Sequence, residues 1–152
     1  MTIELITLGS RAYTDDAFIE QFENCSYPGG SFHHEDHLRL AWLYLQRYSS
    51  RDAENRIAES ILRFASNLGA AEKYHHTLTV GWMRLVESAR RLTPHVRDFH
   101  AFLDAHHWLL KRDALLSFYS REVLFSPAAR EGWVEPDLSP FALRSPAAWI
   151  LI

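Results

Sequence analysis

The chain has 152 residues, 47% hydrophobic and 23% charged, with a formal net charge of −3. That length supports one domain, the composition excludes an intrinsically disordered chain, and sixteen Lys plus Arg against nineteen Asp plus Glu leave no cationic surplus for nucleic acid. The single cysteine, Cys25, excludes an intramolecular disulfide and a thiolate metal cluster.

No apolar run approaches the roughly 18–20 residues of a membrane span, so no membrane partner is expected. The start, Met1-Thr2-Ile3-Glu4-Leu5, lacks a basic segment followed by a long apolar one. No signal peptide is expected, and the cytoplasm is the default compartment.

Alternating apolar residues over positions 3–8 suggest a short strand or extended arm. Thr14 then caps a short helix over 15–23, with acidic residues in its first turn and Phe18, Ile19 and Phe22 as its stripe. Tyr27-Pro28-Gly29-Gly30 breaks it. A first long helix is predicted from His34 to Tyr48, a second from Arg51 to Asn67 with Gly69 as its stop, and a third from Glu72–His75 to Leu92. A fourth is predicted over Val96–Leu110, followed by short pieces over 114–119 and 121–125. From Pro127 onward four prolines predict an irregular tail, ending in the apolar Trp149-Ile150-Leu151-Ile152. That end either docks on the core or makes a homo-oligomer contact. The fold class is therefore all-α: one up-down bundle of about four long helices, with residues 1–31 as an arm and short helix, 34–110 as bundle core and 127–152 as a wrapping tail.

Nine histidines cluster at 33, 34 and 37, at 75 and 76, at 95 and 100, and at 106 and 107. Helices joined by short loops alternate in direction, so the first and third long helices are expected to run parallel with their histidine-bearing ends together. His34 and His37, three apart, share a face. His75 heads the predicted core stripe Leu78, Trp82, Leu85, whereas His76 lies nearer the edge. Three converging imidazoles cannot all be charged in a low dielectric, and a divalent metal binds their neutral forms. His34, His37 and His75 are thus the expected ligands of one Zn, Fe, Ni or Cu ion with an open coordination position. By the same alternation His106, His107 and Glu23 reach that end, and these, with His76 and Thr79, are the expected further ligands or groups that orient the ligands. His95 and His100 are assigned to the surface. Tyr74 is the expected proton donor, and Lys73 the expected anchor for an anionic substrate. The function read from this is a metal-dependent enzyme on a small molecule, with hydrolytic, transfer and oxygenase chemistry all open. The alternative is a non-catalytic metal- or ligand-binding helical protein acting through a partner contact.

The segments Phe32-His33-His34-Glu35-Asp36-His37 and Lys73-Tyr74-His75-His76-Thr77-Leu78-Thr79 resemble those of a family of small bacterial proteins with Phe-x-His-x-x-His and Lys-Tyr-His-x-Thr-x-Thr motifs. The stretch from Phe118-Tyr119-Ser120 through Val134-Glu135-Pro136-Asp137-Leu138 is similar to that family too. The resemblance implies functional weight at His34, His37, Lys73, Tyr74, His75, Thr77 and Thr79, and it carries no activity with it. His76 stands where the family pattern has Glu. At the level of architecture alone, DinB-like four-helix bundles also gather three histidines at one end.

Overall fold

A computed structural model describes residues 9–141. The strand or arm expected over 3–8 and the apolar end Trp149–Ile152 lie outside the described residues. All regular elements among the described residues are α- or 3-10-helical, so the fold is all-α. No helix among them is long and apolar enough to cross a membrane. The chain divides into two compact units between His75 and His76, each described in turn.

In the N-terminal unit, α1 (Asp15–Glu23) starts where Thr14 Oγ1 accepts the Ala17 N–H at 3.2 Å, and it buries Phe18, Ile19 and Phe22. After a turn through Cys25, at φ 64, and a 3-10 turn at Gly29–Ser31, α2 (His34–Arg47) begins. The sequence predicts a one-sided stripe for α2. Instead every residue from Leu38 to Leu45 is buried, the signature of a helix enclosed on all sides. Ser49 then caps α3 (Ser50–Asn67) by accepting the Asp52 N–H at 3.2 Å.

Helices α2 and α3 run antiparallel. The Tyr44 hydroxyl meets Ser60 Oγ at 2.9 Å toward one end, while Phe32, just ahead of α2, lies 5.5 Å from Phe64 toward the other. Phe22 of α1 stacks on both rings, at 4.7 and 4.5 Å. Gly69, at φ 72, stops α3 as the sequence predicts, and the 3-10 turn Ala71–Lys73 packs back on α3.

Two buried charges on α2 hold the segment ahead of α1. The Arg39 guanidinium donates to the Ser10 carbonyl, to the Tyr13 carbonyl at 3.1 Å and to the Asp15 carboxylate at 2.7 Å. It also lies 5.0 Å from the centre of the Phe18 ring. One turn earlier, the Asp36 carboxylate accepts the His33 N–H at 2.8 Å and the Ser10 N–H at 3.4 Å. Ser10 is thus bonded through both of its backbone groups.

In the C-terminal unit the third long helix, α4 (His76–Leu92), starts later than predicted. The expected start over 72–75 is taken by the 3-10 turn, closed by Tyr74 in an extended conformation at ψ 136. The predicted fourth long helix is also shorter, and its reasons are local. Asp98 accepts the Ala101 N–H at 2.9 Å and so fixes the start of α5 (Phe99–Ala105). His106, at φ −128 and ψ 51, ends it and is followed by a 3-10 turn at His107–Leu110. Three long helices, not four, are therefore present among the described residues. Another 3-10 turn (Ala114–Ser117) and α6 (Arg121–Leu124) come next. The tail is not irregular from Pro127: Ser126 caps α7 (Pro127–Glu131), with the proline at the tolerated first position.

Beyond α7, residues 132–141 form a strap fixed at several points. The buried Thr77 hydroxyl donates to the Gly132 carbonyl at 2.7 Å and accepts the Val134 N–H at 3.2 Å. Tyr119 donates its hydroxyl to the Val134 carbonyl, and Phe118 accepts the Leu138 N–H at 2.9 Å. The Ser120 N–H donates to the Asp137 carboxylate at 2.8 Å, which holds that carboxyl below its ordinary range. Trp133 lies beneath the Arg84 guanidinium at 4.0 Å.

Thr77→Val keeps the shape but leaves the half-buried Gly132 carbonyl and Val134 N–H without their partner. It should lower unfolding free energy in urea by about 1–3 kcal/mol, whereas Thr77→Ser should recover most of the loss. Equal stability of wild type and the valine variant would contradict the role given to Thr77.

A second expectation concerns His106, whose Nε2 lies 2.9 Å from Thr93 Oγ1 and whose ring lies 5.0 Å from Phe102. Burial pushes its pKa below the ordinary 6.5. Below that value the unfolded chain binds a proton that the folded chain still refuses. The contribution of neutral His106 is therefore complete above 6.5 and declines as pH falls toward the lower folded value. His106→Gln cannot titrate there. Its melting temperature should fall less than that of wild type between about pH 7.5 and about pH 5, and equal falls would refute the assignment.

Candidate functional site

His34 and His37 occupy the first and fourth positions of α2, on one helical face, and both are half-buried. The acids between them serve the scaffold: Glu35 receives a two-pronged bond from Arg11, 2.8 Å at each oxygen, and Asp36 holds Ser10 and His33. His75 is the most enclosed of the three expected ligands, at 6% exposed.

Within the N-terminal unit the backbone brings the His75 segment to the end where α2 begins. Phe32 precedes His34 by two residues and packs on Phe64, while a Cβ on Gly29 would touch the Leu68 side chain. The starting end of α2 thus lies beside the finishing end of α3. The 3-10 turn Ala71–Lys73 packs on that same helix, and His75 follows it by two residues. Lys73 is exposed in the turn, and Tyr74, half-buried, closes it. His75 is not the head of a helical stripe, as its phase predicts, because α4 starts one residue later. Its relevance rests on burial and on the path of the turn.

Glu23, the last residue of α1, meets α2 elsewhere, at Tyr44. Its carboxylate accepts the Tyr44 hydroxyl at 2.7 Å, and its carbonyl accepts from Arg63 at 3.2 Å. Tyr44 lies about 10 Å along the helix from His37. Burial raises the Tyr44 pKa, so the phenol remains a proton donor to Glu23.

The remaining expected residues belong to the C-terminal unit. His76 is the half-buried first residue of α4, Thr79 is buried one turn on, and His107 is exposed. His106 is engaged by Thr93. His95 is exposed, as assigned from the sequence, while His100 is half-buried against Phe99 at 5.6 Å.

Among the described residues no three His, Cys, Asp or Glu side chains are grouped closely enough to hold a metal ion. The donor set is nevertheless chemically apt, since neutral imidazoles suit Zn, Fe, Ni and Cu.

Three residues carry weight that the sequence reading assigned differently or missed. Asp36 and Arg39 resemble ordinary helix-surface charges, and their one signal was spacing: three apart on a strongly apolar helix. Thr77 stands in the Lys-Tyr-His-x-Thr-x-Thr segment but binds the strap at Gly132 and Val134. Comparison with protein families, with curated proteins and with solved structures finds no match to this chain.

Proposed function

We propose that this chain is a metal-dependent enzyme acting on a small molecule, with one divalent transition metal bound by His34, His37 and His75. The observation that supports this most is the burial of His75 at the end of the N-terminal unit where α2 presents His34 and His37. Neutral imidazole is the commonest protein ligand for such an ion. The three rings do not form a cluster among the described residues, so coordination would require them to move.

When bound, the metal would supply Lewis acidity toward a water or a substrate oxygen. The chain's own groups divide the remaining work. Tyr74, beside His75 and half-buried, holds a proton that it can give to a leaving oxygen. Lys73 extends an ammonium into solvent on the preceding turn, where it draws an anionic substrate group toward the site. Glu35 and Asp36 fix the first turn of α2 through Arg11 and Ser10 and so keep its two histidines in register.

Metal analysis of protein prepared without a histidine tag should return about one equivalent per chain. His34→Ala, His37→Ala and His75→Ala should each lose most of it, and His95→Ala should lose none. Protons compete for the same nitrogens near about pH 6.5, so chelator should depress the melting temperature at about pH 7.5 and do little at about pH 5. Equal metal content across the four variants, or a melting curve indifferent to chelator at the higher pH, would reject the reading.

A further inference from the structure

The C-terminal unit contains an open cavity of about 560 Å3, within the roughly 300–1,000 Å3 range of small-molecule pockets. It lies between the 3-10 turns His107–Leu110 and Ala114–Ser117. Trp108, Leu116 and Phe118 supply apolar and aromatic wall, and Lys111, Asp113 and Ser117 supply polar groups. Phe118 is braced from behind by Phe141, with ring centres 5.1 Å apart, and its carbonyl is held by the strap at Leu138.

The two charges are the informative feature. Lys111 and Asp113 are both exposed, and among the described residues neither side chain forms an ion pair or a hydrogen bond. Asp113 occupies the position ahead of the Ala114–Ser117 turn, yet its carboxylate does not cap that turn. The fold therefore leaves one cation and one anion side by side on an aromatic wall, at most about 7.6 Å apart at Cα. A dianion would be attracted by Lys111 and repelled by Asp113, and a simple cation would meet the reverse. A ligand bearing a carboxylate and an ammonium on one carbon satisfies both, and a flat apolar body fills the wall between Trp108 and Phe118.

From this we propose that the cavity is a binding site for a free aromatic α-amino acid, its carboxylate on Lys111, its ammonium on Asp113 and its ring against Trp108 and Phe118. No histidine lines the cavity, and the proposal does not depend on a metal.

Three probes on the full chain, followed by calorimetry and amide NMR, test it: L-phenylalanine, 3-phenylpropanoate and phenethylamine. L-Phenylalanine should bind with a Kd of about 1 mM or tighter, and each single-charge analogue about tenfold more weakly. Lys111→Met should weaken L-phenylalanine to the level of phenethylamine, and Asp113→Asn to that of 3-phenylpropanoate. Both positions are exposed, and circular dichroism verifies that the variants stay folded. Shifts should centre on residues 108–118. The proposal is overturned if L-phenylalanine does not saturate, if the two analogues bind as well as it does, or if the shifts map elsewhere. Binding that survives both substitutions unchanged would overturn it equally.

Discussion

Arg39 puts a full positive charge on the most enclosed helix of the N-terminal unit, and the surrounding chain is arranged around meeting it. A guanidinium taken out of water is costly unless its donors find acceptors. Here they are the carbonyls of Ser10 and Tyr13, from the segment leading into α1, and the carboxylate of Asp15, its first residue. Asp36, one turn earlier, grips the same segment by the Ser10 N–H. The pair thereby fixes α1 against α2, and with α1 goes Phe22, the ring on which Phe32 and Phe64 stack. The start of α2, where His34 and His37 sit, is held in place by the same contacts.

The C-terminal unit depends on a comparable device made from neutral groups. Thr77 is buried near the start of α4 and bonds a strap that returns 55 and 57 residues later. Tyr119 and Ser120 bind the same strap from the other side, at Val134 and Asp137. This arrangement accounts for the stretch from Phe118 to Ser120 and for Val134 through Leu138 as one structural theme. The Tyr119 hydroxyl and the backbone of Phe118 and Ser120 bond the backbone and one carboxylate of the second. Desolvation raises the Tyr119 pKa, so its hydroxyl remains a donor throughout the ordinary pH range.

Helix boundaries set by side-chain caps and glycines were legible, as Thr14 ahead of α1 and Gly69 after α3 demonstrate. Boundaries set by three-dimensional contacts were not. Periodicity runs unbroken from Glu72 into α4, and nothing in it reveals that the Ala71–Lys73 turn closes with Tyr74 extended. Likewise the series Val96, Phe99, Phe102, Leu103 continues naturally to Leu110, yet His106 departs from helical geometry and bonds Thr93. The spacing of His34 and His37 was readable because a helix fixes it. The position of His75 depends on a turn, for which helical phase is no guide. Arg39 was opaque for another reason: hydrophobic patterning records which apolar residues face inward and is silent on a charge drawn in with them.

The span bridged by Thr77 has a bearing on how the protein emerges from the ribosome. The N-terminal unit closes on itself by His75 through contacts between neighbouring helices, and such short-range topologies form quickly. Helix α4 follows at once, carrying Val80, Trp82, Met83, Leu85 and Val86, which the finished fold buries. Gly132 and Val134, which tie the strap to the start of that helix, are translated more than fifty residues later. At about 5–20 residues per second, several seconds separate the appearance of that apolar helix from the arrival of the strap. Until then the Thr77 hydroxyl lacks both of the partners that it joins in the finished fold, so the closing of this unit waits on the end of the described chain.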